Sequence, residues 1–173
     1  MARDWSETSD RVKTQLRLTG GRKLQSPAGK GTRPTTAKVR EAVVNILARR
    51  IHGSNWLELC SGSGAISCEV LLRGAHQIVA VEKDIRAARI CRENLFSTAS
   101  SLSEKSEVEV IQKEIVGWLK KGPKANKINS EFDLVYLDPP YQSGLYLTVL
   151  KALITENWLK NNALVICEHA SEI

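Results

Sequence analysis

Two short stretches carry residue types whose spacing could do chemistry. The sharper is Leu134-Val135-Tyr136-Leu137-Asp138-Pro139-Pro140-Tyr141. Consecutive prolines donate no ladder hydrogen bonds and so end a central strand, and their fixed φ makes the turn rigid. Such a turn can hold the Asp138 carboxylate and the Pro139 carbonyl as neighbouring acceptors. An exocyclic amino group on a nucleobase is a poor nucleophile because its lone pair is delocalised into the ring. Two acceptors gripping its hydrogens favour a pyramidal nitrogen with a localised lone pair, a gain that comes from positioning and electrostatics. Tyr141 offers a face on which the base can stack, worth about 1–3 kcal/mol per base. For a motif this short the plain alternative is a strand-ending turn with an incidental acid and a core tyrosine.

The second stretch is Glu58-Leu59-Cys60-Ser61-Gly62-Ser63-Gly64-Ala65, at the end of an apolar run, followed by Val81-Glu82-Lys83-Asp84 at the end of the next. Glycines at a strand-to-helix turn permit positive φ and close approach of a ligand to the backbone. Glu82 lies 18 residues past Gly64, about where such folds place a carboxylate on ribose hydroxyls. A dinucleotide fingerprint requires a third glycine where this chain has Ser67. Glu58, four residues before Gly62, suits a positively charged ligand better than a pyrophosphate. S-adenosylmethionine has that character: a sulfonium, a free amino group and no phosphate. Glu114 is a further candidate for contacts near an adenine, with a solvated acid at a helix N-terminus as its alternative.

Elements of two periods must position these residues. Strand-like runs occupy residues 56–60, 78–81, 108–111, 132–137 and 164–167, with helical patterns at 64–73, 85–97, 114–121 and 144–157. Strands rich in Val, Ile and Leu alternating with helices predict an α/β domain, a mostly parallel, doubly wound sheet covered on both faces. Upstream, Gln15 to Thr19 reads as a short strand and the stretch through Pro34 as a basic loop. From Thr35, apolar Val39, Ala42, Val43, Ile46 and Leu47 recur at helical spacing, with Thr35 or Thr36 as the cap.

The 173 residues, 42% hydrophobic and 25% charged, suit one domain of about 150 residues with short additions. No apolar run is long enough to span a membrane, and the first residues lack an apolar signal core. The net charge of +6 is uneven: the first 50 residues hold 12 Lys and Arg against 4 acids, and the remainder 13 against 15. This divides the chain into a basic extension, loop and helix over residues 1–50, part of the same unit, and a near-neutral body over 51–173. Nucleic acid is the natural polyanionic partner for such an arm, with a solvated basic face as the commoner explanation of so modest an excess. The four cysteines, Cys60, Cys68, Cys91 and Cys167, have no metal-ligand spacing and read as reduced thiols in a cytosol-like compartment.

Asp138-Pro139-Pro140-Tyr141 matches the (Asp/Asn)-Pro-Pro-Tyr motif of amino-group methyltransferases. With Gly31-Thr32-Arg33-Pro34-Thr35-Thr36, Val39-Arg40-Glu41-Ala42, Asn45-Ile46-Leu47, the glycine stretch, Arg73-Gly74-Ala75 and Val81-Glu82-Lys83-Asp84, the chain resembles the RsmD family over about residues 17–168. The resemblance implies a Rossmann-like S-adenosylmethionine-dependent methyltransferase fold. It also implies methylation of the N2 amino group of a guanine in 16S ribosomal RNA, within a small-subunit particle, by a cytoplasmic monomer without metal or membrane association. By position, Gly62, Ser63 and Gly64 meet the methionine end of the cofactor with Glu58 beside them. Glu82, with Lys83 next to it, holds the ribose, and Glu114 or Ile115 lies near the adenine. Asp138, Pro139, Pro140 and Tyr141 orient the guanine. Arg33, Pro34 and Thr35, with Arg40, order the site or engage RNA, and Arg22 and Lys23 belong to the RNA-facing cluster.

The chain departs from the family pattern at Glu58, Cys60 and Ser61, where Asp, Phe and Ala are usual, and in a short link from Gly20-Gly21 to Arg22-Lys23. The family continues beyond the Leu164–Glu168 strand with another strand pair. A chain ending at Ile173 is therefore expected to be truncated or to have a smaller sheet with an unpaired edge. Two rival functions stand beside the first. One keeps the chemistry on adenine N6 in DNA or on a protein glutamine amide, and the other is a non-catalytic RNA-binding or assembly protein on the same scaffold.

Overall fold

In the computed structural model, which describes residues 16–26, 36–140 and 143–169, five strands form one all-parallel sheet. They are β1 (Asn55–Leu59), β2 (Gln77–Glu82), β3 (Glu107–Gln112), β4 (Phe132–Leu137) and β5 (Leu159–Cys167), in the order β3-β2-β1-β4-β5. Helices α1 (Ala37–Ile46), α2 (Ala48–Ile51), α3 (Ala65–Leu72), α4 (Ile85–Ala99), α5 (Ile115–Leu119), α6 (Gly122–Ala125) and α7 (Leu145–Thr155) complete the chain.

The central strand β1 is buried at every position, because helices cover both faces and neither face can be polar. Alternate residues feed two cores. Trp56, Ile78, Ala80, Leu134 and Tyr136 pack with Val44 of α1, Ile66 and Val70 of α3, and Ala88 and Leu95 of α4. Leu57, Leu59, Val79, Val81, Val135 and Leu137 pack with Trp118 and Leu119 of α5, Val149 and Leu153 of α7, and Trp158. Trp158 anchors the second core: its ring centroid is 4.3 Å from that of Trp118, and its Nε1 donates to the Leu119 carbonyl at 2.9 Å. Helices lie on both faces, as the alternating pattern predicts.

Two boundaries differ from the sequence reading. The helix predicted over 114–121 stops at Leu119, because Gly122 takes φ +74° and Pro123 opens the separate α6. The last strand begins at Leu159, not Leu164. Phe132 pairs with Leu159 but Leu134 with Leu164, so residues are bulged out between these pairs, and Asn162 in this stretch takes φ +63°. Lys160 donates to Asp133 at 2.7 Å across the pair, so the polar start of the strand is held by charge, which an apolar-run criterion does not register. β5 is the outer strand of the sheet and its side chains are half-buried or exposed.

Residues 16–26 form a small hairpin. Leu18 N–H donates to the Arg22 carbonyl and Leu24 N–H to the Leu16 carbonyl, with Arg17 bridged antiparallel to Lys23. Leu18 and Leu24 point into the first core. Thr36 caps α1 by accepting from Val39 N–H at 3.3 Å.

Trp158, fully buried, and Ile154, 68% exposed on the same connection, give a stability test of the second core. Trp158→Ala is expected to cost about 3–5 kcal/mol in urea denaturation, and Ile154→Ala about 0.5 kcal/mol or less.

Candidate active site

The register of β1 against its two neighbours builds the site. Leu59 of β1 sits opposite Val81 of β2 and Leu137 of β4, so three strands end at one level. From there the chain leaves β1 towards β2 through α3, and leaves β4 towards β5 through α7. Neighbouring strands whose connections diverge open a crevice at their carboxyl ends, where open α/β sheets bind ligands. Asp138 leaves β4 beside the start of the glycine turn: its N–H donates to the Leu59 carbonyl at 3.4 Å.

The turn after β1 needs its glycines. Cys60, Gly62 and Gly64 have φ of +64°, +53° and +70°, values that L side chains adopt at a cost. A Cβ on Gly64 would stand 2.6 Å from Cys91 Sγ of α4, whereas one on Gly62 would meet nothing within 4 Å. Gly64 thus serves packing, and Gly62 faces open space. The turn is pinned from the neighbouring strand: Gly62 N–H donates to Glu82 Oε2 at 2.8 Å and Asp84 N–H to Glu82 Oε1 at 2.9 Å. Each carboxylate oxygen retains a second lone pair, so a pinned Glu82 can still accept from a pair of ribose hydroxyls.

Glu58 is buried beneath this turn. Trp56 Nε1 donates to Ser67 Oγ at 2.9 Å, and the Ser67 hydroxyl donates onward to the Glu58 carboxyl. Burial pushes the Glu58 pKa up to about 8, Asp138 and Glu82 add to this, and only the Ser67 bonds oppose it. Cys60 is likewise pushed up to about 12, first by burial and then by Glu82 and Asp138, so it remains a thiol and is no nucleophile at neutral pH.

After β4, Pro139 is buried and Pro140 exposed, and Ser143 N–H closes the turn onto the Pro140 carbonyl at 2.8 Å. Behind Asp138, the Tyr136 hydroxyl donates to the Glu168 carboxylate, the Tyr146 hydroxyl to the Glu168 carbonyl, and Glu168 N–H to the Leu137 carbonyl. Burial, then the bond to Glu168, raises the Tyr136 pKa and keeps the phenol protonated. This bracket ties β4, β5 and α7 together just behind the proline turn.

The remaining expected site residues take varied places. Ser63 presents its carbonyl to Asn94 Nδ2 at 2.9 Å. Lys83 is exposed. Glu114 caps α5, accepting from Val116 and Gly117 N–H at 2.8 and 2.7 Å, while Ile115 packs in the second core. Lys23 is exposed, and Arg22 Nη1 reaches the Ser97 carbonyl at 3.0 Å. Arg40 is only 2% exposed and donates from Nη2 to the Arg17 carbonyl at 2.6 Å. Buried in this way, the Arg40 guanidinium is not presented to solvent, where an RNA phosphate would have to meet it. Arg33, Pro34, Thr35 and Tyr141 lie outside the described residues.

Three residues that sequence reasoning did not single out belong to the site's support. Ser67 entered only as the missing third glycine, and here it holds Glu58. Glu69, buried in α3, accepts from Thr19 N–H at 2.7 Å and from Arg73 at 3.1 Å. Asn94, buried in α4, bonds to Gln25 and Ser63. For Asn94 the available signal was a polar residue on the apolar face of an amphipathic helix, which periodicity alone cannot assign to a partner. Ser67 and Glu69 lie on α3, whose residues 65–71 are all buried, and no face pattern marks them.

The donor set selects the ligand. Glu58, Glu82 and Asp138 are close enough for the latter two to raise the Glu58 pKa, so an anion would add to the repulsion and a cation would relieve it. A nucleoside bearing a positive charge fits these residues, and a dinucleotide pyrophosphate does not.

Comparison with known proteins agrees. The family model described as conserved hypothetical protein 95 matches residues 17–173. The ribosomal RNA small subunit methyltransferase D of Haemophilus influenzae is 36% identical over 148 residues, covering 86% of this chain and 73% of that protein. Its Escherichia coli K12 namesake is 32% identical over 163 residues, covering 91% and 76%. The solved structure of yhhF from Escherichia coli superposes with a TM-score of 0.76 at 30% identity, covering 92% of this chain and 84% of that one. A Thiobacillus denitrificans S-adenosylmethionine-dependent methyltransferase in complex with S-adenosylhomocysteine shares the fold, with a TM-score of 0.59 at 14% identity over 78% and 49% of the two chains.

The buried Glu58 makes a pH prediction. Its folded pKa of about 8 lies above the ordinary 4.5, so between those values the folded state holds more protons than the unfolded one. Its contribution to stability is full below about pH 4.5 and is lost as pH rises towards 8. In urea denaturation at pH 5 to 8.5, the stability of Glu58→Gln relative to the native chain is expected to improve steadily as the pH rises. A pH-independent difference would show that Glu58 is ionised throughout.

Proposed function

This chain belongs to the RsmD family, whose model spans residues 17–173, and from that premise we propose that it transfers a methyl group from S-adenosylmethionine to the N2 amino group of a guanine in small-subunit ribosomal RNA. The observation that carries the reading is the register that sets Asp138 beside the glycine turn, with Asp138 N–H on the Leu59 carbonyl. Two relatives that this chain matches over most of its length bear the name ribosomal RNA small subunit methyltransferase D.

When bound, the cofactor supplies an electrophilic methyl group on a sulfonium. The chain's part is to hold and to orient. Glu82, already fixed by two backbone N–H groups, takes the ribose hydroxyls, and Gly62 leaves its open side to the methionine end. Glu82 and Asp138 favour the positive charge, and Glu58, whose pKa is pushed up to about 8, adds to this to the extent that the cation draws it into its ionised form. Asp138 and the Pro139 carbonyl accept from the two amino hydrogens of the guanine and aim its lone pair at the crevice. The buried Pro139 and the Tyr136–Glu168–Tyr146 bracket keep this turn from yielding when the base arrives, which preserves the positioning gain. Tyr141 supplies the stacking face.

The RNA side is carried by Arg17, Arg22 and Lys23 of the hairpin and by exposed Lys38 at the start of α1. A guanine within folded RNA must be extruded or presented on a loop to reach Asp138, at a cost of a few kcal/mol. A small-subunit particle that presents the base already exposed lowers that cost. Such a substrate would be met in the cytoplasm, and we take the enzyme to act there as a monomer.

Labelled-methyl transfer to small-subunit particles lacking the modification, followed by nucleoside digestion, is expected to yield N2-methylguanosine. N6-methyladenosine, or no transfer by folded protein, would overturn the reading. Asp138→Ala is expected to lower kcat about 10²–10³-fold, and Asp138→Asn, which keeps a carbonyl oxygen, to lose far less. Removing Arg22 and Lys23 together is expected to weaken RNA binding and make its salt dependence shallower by about one log-log unit per lost phosphate contact.

A further inference from the structure

The Asn94 carboxamide uses every polar atom it has, and it uses them on two different parts of the molecule. Oδ1 accepts from Gln25 N–H at 2.9 Å, Nδ2 donates to the Gln25 carbonyl at 3.0 Å, and the same Nδ2 donates its other hydrogen to the Ser63 carbonyl at 2.9 Å. The side chain is 4% exposed, so water is a poor substitute for any of the three. Gln25 closes the N-terminal hairpin, and Ser63 is the middle residue of the glycine turn that faces the crevice. One amide group is therefore a junction between the hairpin and the cofactor turn.

The rest of the hairpin's attachment shows why this junction could transmit a change. Thr19 is held by Glu69 of α3, the Arg17 carbonyl by Arg40 of α1, and Arg22 by the Ser97 carbonyl of α4. None of these three reaches the glycine turn; Asn94 does. A shift of the Ser63 carbonyl must pull Asn94 away from Gln25 or carry Gln25 with it, since a three-bonded amide has no spare hydrogen to exchange.

We infer that Asn94 is a positioning residue that couples occupancy of the cofactor site to docking of the 16–26 hairpin, so that each stabilises the other. The inference rests on the glycine turn binding the cofactor and is independent of which RNA base is methylated. Coupling of this kind is reciprocal: cofactor binding tightens the hairpin, and a loosened hairpin weakens cofactor binding. The hairpin carries basic residues of the RNA side, so the protein that holds cofactor would also present a firmer RNA-binding arm.

Two measurements test this on the full chain with S-adenosylhomocysteine as the probe. Hydrogen exchange should slow at the Gln25 and Leu24 amides when the probe binds, and this slowing should vanish in Asn94→Ala. Calorimetry should show about five-fold or greater loss of probe affinity in Asn94→Ala. The decisive variant is Gln25→Pro, which removes the N–H that Asn94 Oδ1 accepts, fixes φ at position 25 and restricts Leu24, and changes no residue of α4 or of the glycine turn. It should also weaken probe binding several-fold, which a purely structural role for Asn94 within its helix would not produce. Wild-type affinity in Gln25→Pro, or unchanged exchange of the hairpin on binding, would overturn the coupling even if Asn94→Ala fails to fold. Absence of probe binding by the unmodified chain would instead overturn the cofactor reading, and the coupling with it.

Discussion

A strand with parallel neighbours on both sides cannot continue in the plane of its sheet, and here that constraint falls on β1. Its chain must leave over one face while the chain of β4 leaves over the other, and the gap between them is the crevice. Four backbone bonds close the carboxyl edge of the sheet in the same manner: Ser61 to Val81, Lys113 to Glu82, Asp138 to Leu59 and Glu168 to Leu137. In each, the first N–H beyond or near a strand end donates to the last carbonyls of a neighbour. The glycine turn, the ribose-side carboxylate and the Asp-Pro-Pro turn all hang from this edge. Their mutual placement therefore follows from sheet register before any side-chain contact is made.

The edge concentrates negative charge, which the fold accommodates at a cost. Glu82 meets it with backbone N–H groups from two turns, since a carboxylate that accepts such bonds tolerates partial burial. Glu58 has only the Ser67 hydroxyl and is driven towards its protonated form. An apolar residue at position 58 would spare that cost; with the acid there, an arriving cation lowers the Glu58 pKa and is met by Glu82 and Asp138 and, as it ionises, by Glu58 as well. Stability without ligand is reduced at the place where binding is to be strong, a common exchange at functional sites.

Much of this was legible in the residues. Val, Ile and Leu runs located the inner strands β2, β1 and β4, because strands buried on both faces have no polar alternation to hide them, and found the apolar parts of the edge strands β3 and β5. Glu58 and Asp138 could be picked out because their strand ends are marked by glycine and proline, and Glu82 because it ends the next apolar run 18 residues past Gly64. The start of β5 was not legible, since Lys160, Asn161 and Asn162 are polar and the strand there is held by the Lys160–Asp133 pair and a bulge. Neither was the fate of Arg40. It counts as +1 in the basic first fifty residues, yet it lies inside, so the arithmetic overstates the charge that this region can offer to RNA. Ser67, Glu69 and Asn94 share one difficulty: a polar residue on a helix is a surface residue by default, and only its tertiary partner says otherwise.

Glu69 and Asn94, with Arg40, also explain how the 16–26 hairpin is held. The hairpin buries two leucines, Leu18 and Leu24, which is modest apolar cover for eleven described residues. An apolar patch of that size would tolerate several registers, because hydrophobic contact is non-directional. Glu69 at Thr19, Arg40 at Arg17 and Asn94 at Gln25 admit only one, since a slip by a single residue would leave buried polar atoms without partners, at about 1–3 kcal/mol for each. Polar clasps thus exchange bulk stability for a defined position. A segment fixed in this way has a docked state and an undocked state with little between them, and its equilibrium can be moved by whatever touches the clasp. Through Ser63, the glycine turn touches it.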